Sequence, residues 1–194
     1  MFEYIKGEIA GLTPTFVVID AGGIGYYVNI SLQTYSRLEG EKSTKLLLHQ
    51  IVREDANLLF GFFNEDERSV FRLLLTVSGI GANTARMMLS SMSADDLRTA
   101  IIKDDVSALK SIKGIGLKTA QRIVVELKDK ITRIGVGAEV FSGSSGGARK
   151  EEALAALVAL GFAKAPAEKA LNELVKSTND YTVESLIKAA LKQL

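Results

Sequence analysis

Two stretches of this chain superimpose at an offset of 35 residues. The first is Leu74-Leu75-Thr76-Val77-Ser78-Gly79-Ile80-Gly81-Ala82-Asn83-Thr84-Ala85. The second is Leu109-Lys110-Ser111-Ile112-Lys113-Gly114-Ile115-Gly116-Leu117-Lys118-Thr119-Ala120. Leu, Gly, Ile, Gly, Thr and Ala recur at matched positions. A repeat this short leaves few folds open. A helix must stop, the backbone must turn on glycines, and a second helix must start with its first N–H groups unpaired. Glycine supplies positive φ and lets a phosphate approach the main chain. The new helix adds free donors and the positive end of its dipole. The isoleucine between the glycines is expected to face the other way and plug the groove between the helices.

Other glycine-rich readings fit less well. A dinucleotide fingerprint needs a third glycine where Thr84 or Thr119 stands, and the Gly-Lys spacing of a P-loop is absent. A single Gly-Ile-Gly could be a plain helix C-cap and turn, but two copies in register argue against that. The pattern resembles the helix-hairpin-helix motif, which grips DNA backbones without reading sequence. The expected contacts are Ser78, Gly79, Ile80, Gly81, Asn83 and Thr84 in the first hairpin. In the second they are Lys113, Gly114, Ile115, Gly116, Lys118, Thr119 and Arg122.

The net charge of +1 looks wrong for such a role until it is divided. Residues 1–64 carry five basic and seven acidic groups, residues 65–134 twelve and nine, and residues 135–194 seven of each. Between Val106 and Arg133 seven basic groups oppose only Glu126 and Asp129. The positive charge gathers around the second hairpin, and phosphate neutralisation dominates non-specific affinity. The chain has no cysteine, which excludes disulfides, thiolate zinc sites and iron–sulfur clusters and fits a reducing compartment. No apolar run approaches membrane-spanning length, and the N-terminus lacks a signal-peptide layout. A cytoplasmic protein that binds no membrane is expected.

Patterning divides the chain into zones. Residues 1–64 read as β: Phe2 to Ala10, Thr15 to Asp20, Gly25 to Ile30, Lys45 to Val52 and Asn57 to Phe62, with a short helix from Leu32 to Leu38. Five strands in so short a span suggest an OB-type barrel, with an open sheet as the competing layout. Residues 65–134 read as tandem helix-hairpin-helix units. Asn64 and Glu67 form a capping box, Ser93 opens a connecting helix, Asp105 caps Val106 to Ser111, and Thr119 to Lys130 closes the zone. Residues 135–149 read as a flexible Gly/Ser linker. Residues 150–194 read as a three-helix bundle near the lower size limit for independent folding. In it Glu151 to Leu160 ends at Gly161, Pro166 starts the second helix, and Thr182 caps Val183 to Leu191. The fold class expected is α+β and multidomain.

This order of parts resembles the RuvA family of Holliday-junction-binding proteins along the whole chain. The most specific stretches are Ile51 to Phe62, close to the family's barrel segment with its acidic pin, and Glu152 to Gly161 at the start of the tail. Asn83 departs from the lysine that many relatives carry there. The resemblance implies a homotetramer, alone or as two tetramers sandwiching the DNA, that holds a four-way junction open and planar. Glu54 and Asp55 would form the acidic pin. The tail, resembling a UBA-like bundle, would hold the RuvB ATPase motor through residues such as Leu157, Leu160 and Phe162, and the RuvC resolvase is a further implied partner. The roles implied are recombination, DNA repair within the SOS response, and branch migration.

Catalysis by this chain is not expected. It has no nucleotide-binding loop and no metal-ligand cluster, and no cofactor is implied; its single His49 sits in a strand among apolar neighbours. Two other classes are compatible with the hairpins. One is enzymatic, since helix-hairpin-helix proteins include DNA glycosylases and ligases; a glycosylase would need a catalytic Asp, often with a Lys, shortly after the hairpin, where the Gly/Ser stretch stands. A plain duplex-binding module would bind four-way junctions no better than duplex.

Overall fold

The computed structural model describes residues 1–140, 147–177 and 182–194. Five strands come first: β1 (Tyr4–Leu12), β2 (Phe16–Asp20), β3 (Gly25–Ile30), β4 (Ser43–Arg53) and β5 (Ala56–Phe62). They close into a barrel in the order β1-β2-β3-β5-β4, which settles the choice against an open sheet. Neighbours are antiparallel except β3 and β5, which pair in parallel from Val28 opposite Leu59 to Ile30 opposite Gly61. Helix α1 (Leu32–Leu38) connects β3 to β4, and Ser31 caps it by accepting from the Thr34 amide.

The period-2 rule of a strand explains how the barrel carries the helices that follow. Alternate side chains point to opposite faces. In β5, Leu59 joins Val17, Ile19, Val28, Leu46 and Leu48 inside the barrel. Phe60 and Phe62 point outward and join the helical core instead. Their rings stand 5.2 and 4.9 Å from that of Phe71. Phe71 belongs to α2 (Glu65–Leu75). Residues 1–132 therefore form one compact unit, with the change of element type at residue 64 marked by no gap in packing.

The helices of that unit continue with α3 (Ala82–Ser91), α4 (Ala94–Ile102), α5 (Val106–Lys110) and α6 (Leu117–Val140). The N-caps expected at Asn64, Ser93 and Asp105 are formed, each side chain accepting from the amide three residues on. The capping box at Asn64 is only half formed. Asn64 Oδ1 accepts from the Glu67 amide at 2.9 Å, but the Glu67 carboxylate turns to α1. It accepts from the Ser31 hydroxyl and, at 2.6 Å, from Thr34 Oγ1. Two buried hydroxyl donors outcompete one backbone amide for a carboxylate that is itself buried. Arg68 beside it is also buried. It donates to the Glu3 carbonyl at 3.1 Å and to Glu65 Oε2 at 2.5 Å, and it pairs with Glu3 Oε1 at 2.6 Å.

The linker expected over 135–149 needs correction at both ends. Helix α6 runs ten residues beyond Lys130 to Val140, and α7 (Gly147–Ala159) starts at Gly147. A glycine in a helix interior costs only about 1 kcal/mol, so Gly135 and Gly137 weaken α6 without ending it, and no proline follows Lys130 until Pro166. The rest of that stretch, 141–146, lies outside the described residues.

Residues 133–194 form the second unit. Helix α8 (Lys164–Ser177) begins two residues before Pro166, which its first turn tolerates because those amides have no intrahelical acceptor. Helix α9 (Val183–Ala190) is capped by Thr182 as expected. Ala153, Leu157, Ala167, Ala170, Leu171, Leu186 and Ala190 make the core of the three-helix tail.

Candidate nucleic-acid interface

The two hairpins repeat hydrogen bond for hydrogen bond. Hairpin 1 joins α2 to α3 and hairpin 2 joins α5 to α6. In hairpin 1 the Ile80 amide donates to the Val77 carbonyl at 3.1 Å; in hairpin 2 Ile115 donates to Ile112 at 3.0 Å. The next helix then opens with Ala85 donating to Gly81 and Ala120 to Gly116, both at 2.9 Å. The isoleucines are plugs as expected: Ile80 is 6% exposed and Ile115 5%, both within the helical core.

The four hairpin glycines serve two different ends. Gly79 has φ +90° and Gly114 φ +88°, the left-handed region in which a side chain is strained. Gly81 and Gly116 have no such excuse. Gly81 is extended at φ −93° and ψ 171°, which any residue adopts. A Cβ at either position would meet nothing within 4 Å. The fold does not require glycine there, so the bare backbone leaves room for something from outside. Gly81 offers α3 no side-chain cap. The amides of Ala82, Asn83 and Thr84, like those of Leu117, Lys118 and Thr119, are first-turn donors with no upstream acceptor. Each hairpin thus places first-turn amides without helical acceptors at the positive end of a helix dipole.

Charge separates the two copies. Lys110, Lys113 and Lys118 are exposed around hairpin 2. Their counterparts around hairpin 1 are Leu75, Ser78 and Asn83. Three other basic groups of this zone are engaged within the protein. Arg122 donates to the Ser78 carbonyl at 3.1 Å. Lys130 Nζ donates to Thr76 Oγ1 at 3.2 Å. Lys128 pairs with Asp104. Arg86 of α3 donates to the Thr15 carbonyl at 2.8 Å and to Asn29 Oδ1 at 3.2 Å, fastening hairpin 1 to the barrel. None of these crossings has a sequence signal, because the acceptors are mostly backbone carbonyls or residues distant in the chain.

Glu54 and Asp55 form the tip of the β4–β5 hairpin, between Arg53 and Ala56, and both are exposed. His49 of β4 sets its ring edge-on to Phe71 at 5.5 Å. Burial, with Arg72 and Arg68 nearby, holds its pKa below the ordinary imidazole value. It is therefore a packing residue between barrel and α2. Of the three tail residues singled out, Leu157 is fully buried in the bundle's own core and Phe162 packs partly buried against it. Leu160 is 63% exposed, with Val158 beside it at 43%. Leu157 cannot face a partner because α8 and α9 already cover it. No helix among the described residues is long and apolar enough to cross a membrane. Among the same residues no cluster of three or more His, Cys, Asp or Glu could hold a metal.

The chain matches three family models along most of its length. Residues 1–61 match the RuvA N terminal domain, 71–129 the SAM-like helix-hairpin-helix tandem, and 148–194 the RuvA C-terminal domain. It is similar to curated proteins named Holliday junction branch migration complex subunit RuvA. The one from Bacteroides fragilis is 50% identical over 201 residues, that from Parabacteroides distasonis 49% over 200, and that from Christiangramia forsetii 45% over 194. Each alignment covers 100% of this chain and 100% of the relative.

Proposed function

Because the chain belongs to the RuvA family, we propose that its two hairpins grip the backbones of a four-way DNA junction while its tail recruits the motor that moves the branch point. The chain is the non-catalytic, DNA-binding subunit of a branch-migration complex. It binds Holliday junctions and acts with RuvB.

The observation that carries the residue-level reading is the pair of unexplained glycines, Gly81 and Gly116, whose missing side chains the fold does not need. A phosphate seated there would accept from the first-turn amides of α3 or α6. Lys113 and Lys118 would add charge at hairpin 2, and Asn83 a neutral donor at hairpin 1. Such contacts position the duplex without reading bases. Four copies around a four-fold axis would bring four Glu54-Asp55 turns together at the centre of a planar junction. Like charges at about 4 Å repel by roughly 4 kcal/mol at an effective dielectric near 20. Crossing strands would be pushed apart there and into separate arms. The division of labour proposed is residues 1–64 for the acidic turn and assembly, 65–134 for the backbone grip, and 150–194 for the motor. We place this homotetramer, on one or both faces of the junction, in the cytoplasm with the RuvC resolvase as a further partner.

A competition between a synthetic four-way junction and a linear duplex of matched length and sequence tests this reading. The junction should win by a wide margin, with no dependence on base sequence. Equal affinity would reduce the protein to a plain duplex-binding module.

A further inference from the structure

Within that reading, we propose that Arg122 and Lys130 are positioning residues: reaching from α6 to hairpin 1, they fix the spacing between the two phosphate grips. The motif alone places Arg122 among the DNA ligands of hairpin 2. Its contacts point elsewhere. It spans 44 positions to donate to the carbonyl of Ser78, the residue just before the left-handed Gly79. Its Nε stands 4.0 Å from Glu126 Oε1. Lys130 reaches Thr76, the C-cap of α2, whose hydroxyl donates in turn to the Leu73 carbonyl at 2.8 Å. Arg122, Glu126 and Lys130 follow one another at four-residue intervals, a single stripe along α6.

The stripe therefore ties the helix that opens at hairpin 2 to the α2 side of the turn at hairpin 1, at Thr76 and Ser78. The consequence is mechanical. A second contact strengthens a first only when the span between them fits, and it is lost when the geometry forbids both at once. Hairpin 1 is held to the barrel by Arg86, and hairpin 2 is held to hairpin 1 by α6. Both hairpins also share one buried core through Ile80 and Ile115, so cutting the α6 stripe leaves both grips intact and widens the range of separations around that core. A phosphate ligand and a brace also differ in their salt signature. Removing one phosphate contact lowers the slope of log affinity against log salt by about 0.9, whereas removing a hydrogen bond to a carbonyl leaves it alone.

The chain has no cysteine, so paired spin labels at Asn83→Cys and Lys118→Cys report the grip-to-grip distance directly. Labelled protein is diluted with unlabelled chain so that distances within one chain dominate. In the absence of DNA, Arg122→Met should broaden the distance distribution, with Lys130→Met and the charge-neutral Thr76→Val broadening it less. With unlabelled proteins, Arg122→Met and Thr76→Val should bind a four-way junction severalfold more weakly. Their salt slope should match that of the parent protein, and so should their melting temperature, since all three sites are exposed. An unchanged distance distribution in Arg122→Met overturns the proposal. So does a slope that falls by about one phosphate contact per engaged subunit. A broadened distribution in a protein that never preferred junctions would leave the brace standing and sink the junction reading instead.

Discussion

Hairpin 1 and hairpin 2 share one backbone, yet where hairpin 2 carries Lys110, Lys113 and Lys118, hairpin 1 carries Leu75, Ser78 and Asn83. The shared parts are those that make a grip: a left-handed glycine, a buried isoleucine, an uncapped helix start. Charge is laid over that geometry and differs between the copies. The supports differ too. Hairpin 1 follows α2, which the barrel holds through Glu67 and Arg68 and which packs on Phe60 and Phe62. Hairpin 2 follows α5, only five residues long. The lesson is that shape and charge of a backbone grip can be varied separately, because the amides that face a phosphate belong to the main chain.

If shape is common to both copies, damage to shape should cost each alike. Ile80→Ala and Ile115→Ala should each lower unfolding free energy by about 2–4 kcal/mol, read by urea denaturation. A large loss in one and none in the other would break the equivalence. Next come the open glycines. Gly81→Val and Gly116→Val should fold, since a Cβ meets nothing there, with a stability loss of only about 1 kcal/mol for removing glycine from a helix N-cap. Junction affinity should drop on the order of tenfold to a hundredfold, as charge-assisted hydrogen bonds worth about 1.5–3 kcal/mol are blocked. A folded, fully active Gly116→Val would mean that no phosphate sits on that backbone.

Smaller effects lie outside the hairpins. Neutralising the acidic tip with Glu54→Gln and Asp55→Asn should strengthen duplex binding by a few fold and reduce junction preference, with stability preserved. Unchanged duplex affinity in a titration would remove the tip from the account. The least effect concerns the footing of hairpin 1. Burial raises the Glu67 pKa above 4.5, its hydroxyl donors opposing only part of the shift. The folded state then holds that proton more tightly than the unfolded chain, so stability declines as pH rises from 4.5 through the raised value. Glu67→Gln should flatten that limb of the stability–pH curve. His49 acts at the other end, its lowered pKa removing stability as pH falls below 6.5.

Much of this is legible in the residues themselves. Strand β3 and helix α1 fall where patterning puts them, and the caps at Asn64, Ser93, Asp105 and Thr182 are made by the residue types that make caps. The barrel was legible because β-branched runs alternate with turn signals. Closure was not, since it depends on β1 meeting β4 and on a parallel β3–β5 pair far apart in sequence. Glu67 read as a local capping residue and proved to be a long-range acceptor, because Ser31 and Thr34 reach it only once the barrel has formed. Arg122 reads as a DNA ligand by its place in the motif; that it also donates to the Ser78 carbonyl was not legible, because no residue type encodes a carbonyl acceptor. Leu157 and Leu160 are the same letter three positions apart, and only the packing of α8 and α9 tells the buried one from the exposed one.

The most direct test exchanges the charges of the two grips. Asn83→Lys and Lys118→Asn are compared with the parent protein by junction affinity over a range of salt. If both hairpins hold phosphate through one geometry, Asn83→Lys should steepen the log–log slope and Lys118→Asn should flatten it, each by about 0.9 per engaged subunit. The double exchange should return the slope to its starting value. A slope indifferent to both substitutions would contradict the claim that these two hairpins are where the DNA backbone is held.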